Sequence, residues 1–229
     1  MDFMIQVILW VTALAQFVIA ILSFINGGLV RKTVIGAIVM ICGTAWTAVL
    51  LFASYLVTKD NIVLLNQLIM IVGVILFYFV CLLGLSFIEI KAKVFYLLAF
   101  LMAIPATVLS LSPILAFQLY FVDLRVLDDG EVILKTNPVG FIIIVLVLLI
   151  YVGVALASLV LARKRAETKL GKKLVLFVII GVVLGFLSPL IFNVANAEVH
   201  ELHPLGPFGL LAMAFLTYSA LVKHGDDRL

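Results

Sequence analysis

Seven long apolar stretches divide the chain, and only short polar joints separate them. They cover residues 3–24, 33–57, 62–88, 94–114, 138–162, 174–194 and 204–222, and none contains Asp, Glu, Lys or Arg. A bilayer's hydrocarbon core is about 30 Å thick and takes about 20 residues of helix to cross. Only a helix or a closed barrel satisfies its own backbone in lipid. These runs are too long and too uniformly apolar for barrel strands. The pattern predicts an all-α membrane protein, a seven-transmembrane helix bundle forming a single domain over residues 1–229.

The joints alternate in charge. Arg31, Lys32, Lys91, Lys93, Arg163, Lys164, Arg165, Lys169, Lys172, Lys173, Lys223 and Arg228 fall on one side, twelve of the 15 basic residues. The other side has Lys59, Arg125 and Lys135 and most of the acids, among them Asp60, Asp128, Asp129, Glu131, Glu198 and Glu201. The positive-inside rule puts the basic side in the cytoplasm. The expectation is a multi-pass protein of the inner or plasma membrane, N-terminus outside and C-terminus inside. The joint between the fourth and fifth spans is the long one. Tyr120 to Val126 alternates, Asp128-Asp129-Gly130 signals a turn, and Glu131 to Leu134 reads as a returning strand. A short extracellular β-hairpin is expected between helices 4 and 5.

Composition narrows the function classes. The chain is 66% hydrophobic and 12% charged, so seven spans leave no room for a soluble catalytic domain. The net charge of +3 is placed by topology and is no nucleic-acid signature. The first run has no basic leader or small-residue cleavage site and reads as a retained helix. Cys42 and Cys81 both fall inside spans, where they read as small buried apolar groups.

Polar residues within spans are costly and therefore informative. Gly181 and Gly185 form a GxxxG pair that admits a close neighbour. Pro189 removes a backbone hydrogen bond and predicts a kink. Asn193 and Asn196 follow at helical spacing on about the same face. A kink below two amides has the makings of a small outward-facing pocket, or of an interhelical hydrogen-bonded contact. Trp46 lies mid-span in the second run, beside Thr44 and Thr47. A mid-bilayer Trp points to core packing or a pocket wall. Trp46, Pro189, Asn193 and Asn196 form the candidate ligand-binding set, for a small ligand of unknown identity. Pro105 predicts a kink in the fourth span.

Other chemistry is poorly supported. No acid or base sits mid-span, as a proton pump or ion-coupled carrier needs. The last span has no lysine before Lys223, so a retinal Schiff base has no anchor. Ser188 and Ser219 have no intramembrane partner base. Glu198-Val199-His200-Glu201-Leu202-His203 offers metal-ligand types but falls one residue short of HExxH, and Pro204 disfavours helix at His203. It reads as a polar interfacial turn. The expectation is a non-enzyme with no metal and no cofactor.

The chain's second half carries a resemblance. A strand-like outer joint, residues 120–134, precedes a span containing Tyr151, and a basic loop from Arg163 to Lys173 follows. Then come Leu187-Ser188-Pro189-Leu190-Ile191-Phe192-Asn193, the entry Leu205-Gly206-Pro207, and the ending Tyr218-Ser219-Ala220-Leu221-Val222-Lys223-His224. In this pattern, with Trp46 in the second span, the chain resembles the seven-transmembrane N-terminal sensor region of bacterial histidine kinases. The resemblance implies a signal-sensing input domain that hands a bias to a cytoplasmic transmitter domain or protein, and a possible homodimer. The usual signalling helix and kinase do not follow Lys223, so the chain reads either as a truncated sensor or as a standalone receptor with a separate output partner. A small transporter and a non-catalytic membrane scaffold are the alternatives. A transporter of inverted repeats predicts similar halves, and the first three spans show little likeness to the last three.

Overall fold

The computed structural model describes residues 3–56, 62–88, 121–126, 132–136, 138–191 and 206–222. Among them are six helices: α1 (Phe3–Gly27), α2 (Arg31–Leu56), α3 (Ile62–Ser86), α4 (Pro138–Arg165), α5 (Lys169–Pro189) and α6 (Gly206–Leu221). Five are long and apolar enough to cross a membrane, and α6 is apolar but shorter, at 16 residues. This is the build of a multi-pass helical membrane protein. Six helices are described where seven spans were expected. The expected fourth span, 94–114, and Pro105 lie outside the described residues.

Two strands, β1 (Phe121–Val126) and β2 (Val132–Thr136), pair antiparallel. Val126 faces Val132 and Leu124 faces Leu134, with an irregularity between Phe121 and Asp123. Residues 127–131, which join the strands, lie outside the described residues.

The helices form a ring. α1 packs on α2, α2 on α3, α3 on α4, α4 on α5 and α5 on α6; α6 closes the ring against α1 and also touches α2. The core follows this circuit. Trp46 of α2, Phe77 and Val80 of α3, Tyr151 and Leu159 of α4, Val178 and Phe186 of α5, and Leu210 and Met213 of α6 belong to one buried cluster. Edge-to-face ring pairs add to it: Tyr78 of α3 meets Tyr151 of the neighbouring α4 at 6.2 Å, and Phe77 of α3 reaches Phe186 of α5 across the bundle at 5.6 Å. Cys81 is buried, Cys42 half-buried, and both are free thiols. Burial among apolar neighbours suits the packing role read from their positions.

Two tight joints set the basic end. α1 stops at Gly27, and Gly28 takes a φ of +63°, the left-handed conformation that ends helices and favours glycine. The chain reverses and α2 begins at Arg31. The second joint corrects the expected basic loop of residues 163–173. α4 runs on through Arg163, Lys164 and Arg165, and α5 already starts at Lys169, leaving residues 166–168 between them. Arg and Lys are good helix formers, and their stems lie along apolar surface while the charges reach water. The three cations in the last turn of α4 also complement its dipole. Thr168 starts α5 by accepting a hydrogen bond from the Gly171 amide at 2.9 Å.

The ends sort by face. The start of α2 (Lys32), the end of α3 (Phe87 and Ile88 just beyond it), the end of α4 (Arg165) and the start of α5 (Gly171) surround one cavity. The end of α6 joins them, since Leu221 lies against Gly36 and Val222 against Gly27. Because α3 and α4 finish at the same face, they run parallel, and the chain changes faces between Ile88 and Pro138.

Glycines let backbones touch. A Cβ on Gly84 of α3 would stand 2.6 Å from the Ala155 Cα of α4. Met213 of α6 covers both Gly181 and Gly185, as the GxxxG spacing predicts, and Gly209 of α6 lies against Ser188 and Leu184 of α5. Without a hydrophobic drive between helices in lipid, such van der Waals contact holds the bundle together. Gly84→Val therefore forces the α3–α4 pair apart at rigid backbone. It is expected to destabilise the protein by about 1–3 kcal/mol, measured as reversible unfolding in mixed micelles; wild-type stability would show that α3 and α4 do not meet there.

Candidate functional site

Among the described residues two polar side chains have no exposed surface, Gln16 of α1 and Thr47 of α2. An amide in hydrocarbon must bond within the protein, or it costs several kcal/mol. Gln16 reaches two other helices. Its Nε2 donates to the Pro207 carbonyl of α6 at 3.4 Å, and its Oε1 accepts from the Thr47 hydroxyl of α2 at 3.2 Å. Thr47 also lies 2.9 Å from the Gly43 carbonyl one turn back on its own helix. Gly43 lies beside the amide, where a Cβ would make an ordinary contact with Gln16 Oε1 at 3.6 Å. One side chain thus ties α1, α2 and α6 together.

The depth of this node is unusual. At 1.5 Å per residue α6 is about 24 Å long, short of the roughly 30 Å a span must cover. Its C-terminal end lies at the basic face beside Gly27 and Gly36. Its first described residues, Gly206 and Pro207, are both buried, and the Pro207 carbonyl takes the Gln16 amide at about the mid-height of α1.

The expected ligand-binding residues divide. Trp46 is 6% exposed and sits in the central core, one residue from Thr47. Gly73 of α3 makes room for it; a Cβ there would meet the indole Nε1 at 3.6 Å. Pro189 is buried and is the last residue of α5. The chain continues as a wider π-type turn through Leu190 and Ile191, and the Leu190 amide donates to the Leu187 and Phe186 carbonyls. At Pro189 the α-helix gives way to a wider turn, as befits a residue that cannot donate to the carbonyl one turn earlier. Asn193 and Asn196 lie outside the described residues, as do Glu198, His200, Glu201 and His203. Among the described residues no group of three or more His, Cys, Asp or Glu side chains converges.

Gln16 is legible in the sequence as a mid-span amide, the same signal that Asn193 gives. A lower pair of contacts joins the same helices. Buried Ser23 of α1 donates to its own Ile19 carbonyl at 2.8 Å and lies 3.5 Å from the Met40 sulfur of α2. At the basic end the Asn26 amide donates to the Tyr218 hydroxyl of α6 at 3.1 Å. α6 is thus held to α1 near both of its ends.

No protein-family model matches the chain, and no curated protein is similar to it at a significant level.

Gln16→Leu removes both interhelical bonds at once. Interhelical hydrogen bonds in membranes average about 0.6 kcal/mol each, so the loss is expected near 1 kcal/mol. A double-mutant cycle with Thr47→Val should return a coupling of about 0.6 kcal/mol. Strict additivity in mixed-micelle unfolding would mean that the Gln16–Thr47 bond contributes nothing.

Proposed function

We propose that the chain is a membrane receptor module, an input domain similar in role to the seven-transmembrane N-terminal region of sensor histidine kinases. The observation that carries this reading is the position of α6. Its described residues run from Pro207, held by Gln16 at the polar node, along α5 through glycine contacts to the basic face beside α1 and α2. One short helix therefore connects the buried polar centre to the face that the charge rule assigns to the cytoplasm. A small ligand or a membrane state acting near Trp46, Pro189, Asn193 and Asn196 would bias the seat of α6, and a cytoplasmic transmitter, in one chain or in a homodimer, would read its far end. Such a relay requires unequal affinity of the signal for two arrangements.

The accompanying topology has seven spans, N-terminus outside, with the paired strands β1 and β2 on the outer side. Parallel α3 and α4 support it, because an additional crossing between Ile88 and Pro138 is what that orientation demands. No catalytic role is proposed. The transporter and scaffold readings gain no specific support from the described residues.

Two experiments test the proposal. Cysteines replacing Asn26 and Tyr218 at the basic end of α1 and α6 should cross-link, and adding Gln16→Leu at the distant node should change the cross-linking rate about fivefold or more. An unchanged rate would show that the node and the basic end do not communicate. In intact cells a cysteine replacing Asp123 should react with an impermeant maleimide and one replacing Lys164 should not. The reverse pattern would invert the topology.

A further inference from the structure

The cavity at the basic end has a chemistry the receptor reading does not use. It holds about 410 Å³, within the range of small-molecule sites. Its floor is apolar, formed by buried Ile88, Ala162 and Val175. Its rim is charged: among the described residues Lys32 comes from the first turn of α2 and Arg165 from the last turn of α4, with Glu167 as the acid. Lys32 is held in place, with its ammonium 5.1 Å from the centre of the Phe87 ring. Thr168 and Gly171 bring the start of α5, the positive end of its dipole, to the same wall.

We propose that this cavity binds a phosphate group, carried by an anionic phospholipid or by a soluble phosphorylated metabolite. Two cations from different helices converge on one concave space, which a multiply charged tetrahedral anion spans better than a planar carboxylate. The Arg165 guanidinium supplies a two-pronged donor suited to phosphate oxygens, and Lys32 adds a point charge. The apolar floor beneath accommodates glycerol or the first methylenes of an acyl chain. The cavity lies where helix ends reach the headgroup layer, so both sources have access. Glu167 opposes the anion and sets its affinity below what the cations alone would give. The site is independent of the α6 relay: it can fail while the cross-linking result stands, and the reverse.

The test uses the full chain in phosphatidylcholine vesicles with and without phosphatidylglycerol, and separately with added glycerol phosphate. Native mass spectrometry reads retained lipid, and thermal unfolding reads both probes. Arg165→Ala should weaken the probe that binds by about tenfold, the loss of one charge-assisted pair. Arg163→Ala, the same charge removed from the same helix end but outside the cavity, should leave binding within about twofold of wild type, since it is only a solvent-screened exposed charge. Glu167→Gln should tighten binding. An Arg165-dependent effect of phosphatidylglycerol alone assigns the phosphate to lipid; one of glycerol phosphate in phosphatidylcholine assigns it to a soluble ligand. Silence of both probes overturns the proposal, as does an equal loss in the two arginine variants, which would mark a diffuse basic surface. Should Arg165→Ala fail to fold, Glu167→Gln decides, because it alters charge without volume; unchanged affinity there overturns the site.

Discussion

Hydrocarbon offers no hydrogen bonds, so every polar group placed in it must be answered by the protein. That constraint orders this bundle more than apolar burial does, because lipid tails are as apolar as any leucine. Some hydroxyls meet it locally. Ser23 and Thr44 lie within 2.9 Å of the carbonyl four residues back, which ties up the group without linking helices. Gln16 cannot do this, since its amide has both donors and an acceptor to satisfy. It bonds outward to α2 and α6 and becomes the tie between three helices. Thr217 of α6 is the exception: among the described residues its hydroxyl oxygen is the buried side-chain polar atom with no partner. The helix that Gln16 holds at Pro207 also carries the unanswered hydroxyl.

Close approach is the complement of that constraint. Dispersion falls steeply with distance, so helices in lipid gain most where small residues bring backbones together. Gly84 against Ala155 fixes α3 on α4, and Gly181, Gly185 and Gly209 fix α5 on α6. Both pairs are backbone-tight: Gly84 meets the Ala155 backbone, and Gly209 meets the Leu184 carbonyl, while at Gly185 the neighbour is the flexible Met213 side chain.

The sequence made the spans legible because an uncharged run of twenty residues has few alternative fates. The GxxxG contact was legible for the same reason: spacing alone decides which face is small. The extent of the helices at the basic end is not, since a run of charges fits a solvated loop and a helix end equally well. Arg163 to Arg165 and Lys169 to Lys173 are helical because their stems tolerate the interface and a single threonine suffices to cap the next helix. The binding residues were legible only in part. Trp46 announced itself as an aromatic out of place, whereas the role of Gln16 depends on Pro207, 191 positions away, and no local pattern encodes that pairing.

The two polar features of the protein stand at different depths, and their chemistry differs accordingly. Around Gln16 all partners are neutral, as low dielectric demands, because an unpaired charge there would cost far more than an amide. Around Lys32 and Arg165 charge is tolerated because water and headgroups are near, and an apolar floor still removes solvent from one side. The start of α2 belongs to both settings: Lys32 faces the cavity at its first turn, and Thr47, four turns on, holds Gln16. α2 packs on α1 and α3 and also touches α6. One helix thus carries both kinds of polar group, a charge where water reaches its first turn and a neutral hydroxyl where hydrocarbon surrounds its middle.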